Sequence, residues 1–194
     1  MTGSIALLGQ PNSGKSTIFN NLTGARQHVG NWAGKTVEKN EGSYTYNGTK
    51  YSVTDLPGSY GLSGNSDEEI ITTDFIKSGQ SKLTVVLVDA SQLERSMFML
   101  AEFARLDKPA LLVLNMMDVA RSMGKEIDSE ALAEKLGIPV LPFNATDTKD
   151  YDRLRKLIAE ELKAPHKLTV AAPQSDKDVN SDRKLNFEWV SSLL

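Results

Sequence analysis

No cysteine occurs among the 194 residues, which excludes disulfides, zinc thiolate centres and cysteine nucleophiles together. There are two histidines, His28 and His166, and their separation argues against a histidine-rich metal site. A dominant charge sign is also missing: 22 basic residues stand against 25 acidic ones, a formal net charge of −3. A balance this near neutral supplies no sustained basic surface for a nucleic acid. The longest apolar runs, residues 83–88 and 109–114, fall far short of the ~20 residues needed to span a bilayer. The N-terminus, Met1-Thr2-Gly3-Ser4, has no basic stretch ahead of an apolar one and does not read as a signal peptide. With 40% hydrophobic and 24% charged residues, the composition predicts a soluble, cytoplasmic chain, one domain plus an appendage.

What the chain does contain is an ordered series of short apolar runs. Residues 5–8 predict a strand that stops at Gly9, and residues 16–23 a helix ended by Gly24. Residues 27–35 are polar, glycine-bearing and without periodicity, so a long exposed loop is expected. Residues 36–46 and 49–54 predict a hairpin, because Asn47-Gly48 suits a turn with φ > 0 at both central positions. A second irregular loop covers 56–66, and Asp67 is placed to cap a helix over 68–77. Strands over 83–88, 110–114 and 139–143 then alternate with helices over 94–106, 129–136 and 151–162. Continuous apolar strands between helices mark a parallel sheet covered on both faces. The expected fold is therefore α/β, a six-stranded, mostly parallel sheet with helices on both faces. Residues 1–165 read as one domain. Residues 171–182 read as a linker, and 185–194 as the start of an amphipathic helix. Trp189 and its apolar neighbours need a burial partner, which suggests that 166–194 leads into further domains absent from this sequence.

Three motifs carry chemistry. Gly9-Gln10-Pro11-Asn12-Ser13-Gly14-Lys15-Ser16 fits G-x-x-x-x-G-K-[ST], between a strand and a helix as that motif requires. Its glycines let backbone N–H groups curl around phosphate oxygens, and the helix adds its positive end. Lys15 is placed to reach the β- and γ-phosphates, and the Ser16 hydroxyl to ligate Mg²⁺. Asp55-Leu56-Pro57-Gly58 closes the second hairpin strand. There Asp55 can hold Mg²⁺, directly or through water, and the Gly58 N–H can meet the γ-phosphate. Asn115-Met116-Met117-Asp118 follows another strand, where a carboxylate can accept from guanine N1–H and N2–H₂. Adenine presents no such donor pair. All three motifs fall at strand C-termini, where ligands of open α/β sheets bind.

With these motifs in place, the chain resembles the translation-factor-like, Ras-like P-loop GTPases, and more closely the N-terminal G domain of the bacterial ferrous iron transport protein B family. The closer likeness rests on Val29-Gly30-Asn31-Trp32-Ala33-Gly34-Lys35-Thr36-Val37-Glu38, Asp55-Leu56-Pro57-Gly58-Ser59-Tyr60 with the later Asp67-Glu68-Glu69, Asp89-Ala90-Ser91-Gln92-Leu93-Glu94-Arg95 and Asn115-Met116-Met117-Asp118, over roughly residues 4–163. The resemblance implies a nucleotide site of Gly9, Asn12, Ser13, Gly14, Lys15, Ser16 and Thr17, with Asp55, Gly58, Asn115, Met116 and Asp118. It adds Asn144, Ala145 and Thr146 at the place of a family Ser-Ala pair that contacts guanine O6. It implies Thr36 as a switch ligand of Mg²⁺ beside Ser16 and Asp55. It also implies a K⁺ held by Asn12 and the carbonyls of Gly30 and Trp32. Lys15, Thr36, Gly58 and Asn12 are then the catalytic group. Ser59 stands where Ras-like enzymes carry a water-positioning glutamine, so slow GTP hydrolysis, stimulated by K⁺, is expected.

The implied partners are GTP or GDP and a membrane-spanning iron-transport domain of the same protein, at the cytoplasmic face of the bacterial inner membrane. No nucleic acid is implied, and a homo-oligomer is left open. The residues also admit a soluble GTPase of ribosome assembly or tRNA modification, and a GTP-dependent binding module with negligible turnover. His28 reads as a solvent-exposed loop residue. Met97, Met99, Met116 and Met117 read as packing, and Glu68 and Glu69 as a helix N-terminus. Trp32 in a loop reads as a docking residue for the membrane domain or the nucleotide edge.

Overall fold

The computed structural model describes residues 3–174 and 179–194. Met1 and Thr2 of the N-terminal reading, and residues 175–178 of the expected linker, lie outside the described residues. The strands are β1 (Gly3–Gly9), β2 (Gln27–Asn31), β3 (Glu38–Tyr46), β4 (Thr49–Asp55), β5 (Leu83–Asp89), β6 (Ala110–Asn115) and β7 (Val140–Pro142). The helices are α1 (Lys15–Thr23), α2 (Asp67–Ser78), α3 (Leu93–Ala104), α4 (Met117–Ser122), α5 (Ser129–Leu136), α6 (Thr148–Lys163) and α7 (Val179–Leu193).

One seven-stranded sheet runs β2-β3-β4-β1-β5-β6-β7. The pairs β1/β4, β1/β5, β5/β6 and β6/β7 are parallel, whereas β2/β3 and β3/β4 are antiparallel. The parallel strands read as continuous apolar runs because alternate residues enter different cores. Ala6, Leu8, Val86, Val88, Leu112 and Leu114 join the core against α2, α3 and α5. Ile5, Leu7, Val85, Leu87, Leu111 and Val113 join the one against α1 and α6. The hairpin turn forms as its chemistry requires, with Asn47 at φ 47° and Gly48 at φ 76°.

The register sets the site. Leu7 pairs with Asp55, Gly9 with Leu87, and Asp89 with Asn115. The C-terminal ends of β1, β4 and β6, each carrying one motif, therefore open on the same edge of the sheet.

Several expectations are corrected. The sheet has seven strands rather than six, because residues 27–31 of the expected loop form β2, antiparallel to β3. Four of its five residues are exposed, so it has no buried face to imprint a period on the sequence. The cap of α2 is Ser66 and not Asp67: Glu69 N donates to Ser66 Oγ at 3.2 Å. The short helix α4 was not expected, and α6 begins three residues early, after the capping residue Asp147.

Trp189 needs no outside partner in this structure. It lies 8% exposed in the α2/α3/α5 core with Val190 and Leu193. Arg105, the C-cap of α3, fastens the approach to α7, donating to Pro173 O at 2.6 Å and to Asn186 Oδ1 at 2.5 Å. Phe187, by contrast, is 53% exposed and only stacks on Phe98 at 6.3 Å. Trp189→Ala should therefore lower the unfolding free energy by about 3 kcal/mol, and Phe187→Ala by less than ~1 kcal/mol. Urea denaturation of the two variants checks the difference, and equal losses would contradict the packing of α7.

Candidate functional site

The loop between β1 and α1 turns tightly, with Asn12 at φ 66° and Gly14 at φ 87°. Ser13 N donates to Gln10 O at 3.1 Å. Two glycines are required by close approach as well as by dihedral angle. A Cβ on Gly9 would lie 2.6 Å from Ser13 Oγ, and one on Gly14 only 2.2 Å from Asn115 Nδ2. Helix α1 starts at Lys15 with no side-chain cap, so its first N–H groups remain available to an anion. Ser16 and Thr17 are exposed on that first turn.

Lys15 and Asp55 form a direct ion pair, each side chain about nine-tenths buried. Burial pushes the Asp55 carboxyl above its usual range. Lys15 pulls it back down in part, and Glu38 adds a smaller upward push. A carboxylate so placed is best stabilised by more positive charge. Among the described residues there is no cluster of three or more His, Cys, Asp or Glu side chains able to hold a metal. The donors are instead one carboxylate and neighbouring hydroxyls. They suit Mg²⁺, which is bound through one or two carboxylates plus phosphates and waters. Gly58 lies against the phosphate loop, where a Cβ would be 3.6 Å from Pro11. The Ser59 hydroxyl is buried and donates to Gly61 O at 3.0 Å, so it is committed to its own loop.

Asn115 ties the motifs together. It is 2% exposed; its Nδ2 donates to Ser13 O at 2.9 Å and its Oδ1 accepts from Ala145 N at 3.0 Å. Met116 takes a left-handed conformation, φ 62°, which turns the chain into α4 and leaves Asp118 exposed. The Asp118 backbone is held by Asn144, whose Oδ1 accepts from Asp118 N at 2.9 Å. Ala145 is half-buried and Thr146 exposed. Two residues missed by the sequence reading support this loop: Asp150 accepts from Asn144 N at 2.8 Å, and Tyr151 Oη donates to Ala145 O at 2.8 Å. Burial pushes the Tyr151 phenol up to about 12, so it remains a donor. Tyr151 opens the expected helix and Asp150 just precedes it, and no local pattern marks their partners.

The switch segment is arranged differently. Gly30 lies in β2 opposite Lys39, and the Trp32 carbonyl accepts from Lys35 N at 2.9 Å. The Trp32 ring packs edge-on against Phe75 of α2 at 5.5 Å, with Lys39 Nζ 4.9 Å from its centroid. That intramolecular seat gives the Trp32 ring a packing partner within this chain. Lys35 also pairs with Asp67 at 2.6 Å, and Thr36 is exposed on the bend into β3. The structure thus gathers Gly9–Thr17, Asp55, Gly58, Asn115–Asp118 and residues 144–146 along one sheet edge. Gly30, Trp32 and Thr36 belong to a segment fastened to α2. His28 is exposed, and Met97, Met99 and Met117 are buried in the core, as expected.

The sequence model of a family described as ferrous iron transport protein B matches residues 3–158. The Fe(2+) transporter FeoB of Escherichia coli K12 is 42% identical over 165 residues, covering 83% of this chain and 21% of that protein. The chain thus spans about a fifth of the length of the curated relatives it matches. The G domain of the T. maritima FeoB iron transporter is 36% identical with a TM-score of 0.77, covering 82% of this chain and 98% of that one. A GDP-bound variant of S. thermophilus NFeoB is 33% identical with a TM-score of 0.79, covering 90% of this chain and 67% of that one.

The buried Lys15–Asp55 pair has a consequence for stability in the absence of ligand. A carboxyl whose folded pKa is raised contributes stability that is present below its unfolded pKa and lost as pH rises through the folded value. Asp55→Asn, which keeps an acceptor for Lys15 without the buried charge, should therefore stabilise the ligand-free domain at pH 7. The gain over the parent should shrink as pH falls toward 4. Paired urea titrations at the two pH values check this, and a gain larger at pH 4 would contradict the assigned burial.

Proposed function

Because this chain belongs to the ferrous iron transport protein B family, we propose that it is a GTP-binding, slowly GTP-hydrolysing switch domain that regulates ferrous iron uptake. The regulated part is a membrane-spanning domain of the same protein, and the switch works at the cytoplasmic face of the bacterial inner membrane. Residues 1–165 form the G domain in this reading, and 166–194 lead toward the remainder. Among the described residues no helix is long and apolar enough to cross a membrane. The observation that carries the reading is the double use of Asn115, which joins the phosphate loop to the loop at 144–146. A phosphate cradle and a guanine-selective carboxylate, Asp118, are thereby built as one unit. The alternative of ribosome assembly or tRNA modification is not favoured, since the matched relatives are iron transporters.

The roles follow from chemistry. Lys15 leaves Asp55 to neutralise the β- and γ-phosphates, while the N–H groups at the start of α1 and of Gly58 hold phosphate oxygens. Ser16, Asp55 and, once its segment moves in, Thr36 would hold Mg²⁺, which would supply positive charge to the phosphates. Asp118 accepts from guanine N1–H and N2–H₂, and the Ala145 N–H meets O6. Ser59 has no amide with which to orient water, in keeping with slow turnover. As folded here, the Trp32 carbonyl accepts from Lys35 N–H, so a K⁺ held by Asn12 and the Gly30 and Trp32 carbonyls would draw on that oxygen's second lone pair.

Asp118→Asn should weaken GTP by roughly 2–4 kcal/mol through loss of a charge-assisted contact, and should admit xanthosine triphosphate. Calorimetric titration with both nucleotides checks it, and unchanged GTP affinity would remove Asp118 from the base site. Single-turnover hydrolysis should run faster in KCl than in NaCl at matched ionic strength, with the difference erased by Asn12→Ala at little change in nucleotide affinity. Equal rates in the two salts would dismiss the cation.

A further inference from the structure

The loop at 144–146 is anchored from α6 by a contact that helix capping does not require. Asp147 is the N-cap of α6 and its side chain accepts from Lys149 N at 3.0 Å. In a capping box the residue three positions on returns to the N-cap's own N–H. Here that residue is Asp150, yet the Asp147 N–H goes to Asn144 O at 2.9 Å. Asp150 reaches three residues further back, to Asn144 N at 2.8 Å. Its carboxylate is buried, the residue 8% exposed, and its second oxygen is held by Arg153 at 3.0 Å. One residue on, Tyr151 holds Ala145 O at 2.8 Å while its ring packs edge-on against Phe143 at 5.1 Å. Asn144 passes the constraint on through Oδ1 to the backbone of Asp118.

We propose that Asp150 is a positioning residue that sets how long a guanine nucleotide stays bound, with Tyr151 the second point of the same clamp. This rests on residues 144–146 forming part of the base site. A base leaves when the loop beside it swings away, and that swing must break the Asn144–Asp150 and Ala145–Tyr151 bonds. A backbone N–H held by a buried, Arg-paired carboxylate gives a strong, directional anchor. Asp150 makes no direct bond to the phosphate loop and reaches it only through Ala145 and Asn115. The clamp therefore bears first on departure of the base and not on capture of the phosphates.

The test is stopped-flow release and capture of N-methylanthraniloyl-GDP with Mg²⁺. Asp150→Ala should speed release about tenfold, the loss of one charge-assisted hydrogen bond, with the association rate within twofold of the parent. Asp150→Asn, which keeps an acceptor for Asn144 N–H, should restore most of the slow release. Tyr151→Phe keeps the ring packing and should speed release about threefold, which keeps the proposal testable if Asp150→Ala does not fold. Inorganic tripolyphosphate, which has phosphates but no base, should compete with an unchanged inhibition constant. A structural defect would weaken tripolyphosphate and GDP alike, and that result would overturn the proposal. Variants that release at the parental rate would overturn the clamp alone. A parent that binds no guanine nucleotide would overturn the functional reading and the clamp with it.

Discussion

Everything at the site depends on one buried amide. Asn115 spends its donor on the loop after β1 and its acceptor on the loop at 144–146, and it is buried at 2% exposure. Losing either partner would leave a buried polar atom unsatisfied, which costs about 1–3 kcal/mol. The three segments it joins come from the ends of β1, β6 and β7, far apart in sequence and adjacent only through the sheet. Gly14 is part of the same constraint, since no side chain fits between its Cα and the Asn115 amide. The spacing of the motifs is therefore a packing requirement as much as a chemical one.

The Lys15–Asp55 pair buries two opposite charges against each other. Under the proposed function each is the other's stand-in, the amine for a metal and the carboxylate for a phosphate. Burial makes the arrangement uncomfortable, as the raised Asp55 carboxyl shows. Removing the Lys15 amine alone would leave the buried carboxylate uncompensated. Under the proposed reading, a metal–nucleotide complex supplies both counter-charges together and relieves the pair in one step.

How legible this was from the chain depends on where each signal resides. The doubly buried strands β1, β5 and β6 announce themselves as uninterrupted apolar runs, and the P-loop and Asn115–Asp118 by residue types no generic turn requires. β2 was invisible because pairing to β3 is done by backbone, and its side chains face solvent. Asp150 was invisible because an acid just ahead of an expected helix is unremarkable; only the fold shows that it reaches back to Asn144. The end of the chain was half legible. The apolar spacing around Trp189 showed that it must be buried, but not that α3 and α5 supply the covering surface. For Trp32 the sequence posed the same question, and Phe75 is the answer.

β2 adds no buried side chain to either core, and its removal would break one row of backbone hydrogen bonds, the Gln27 bonds to Asn20 and Thr23, and the Trp32–Phe75 contact. Local opening free energies in proteins run from near zero up to the global value, and a segment with this little buried surface sits near the floor. Hydrogen exchange would see it as a separate unit, melting while both cores stay intact. The strand is also an outer edge, with N–H and C=O groups on its free side that another strand could pair. Detaching it exchanges that edge for the better-covered edge of β3. The segment with the smallest share in folding is thus free to change partners without endangering the fold.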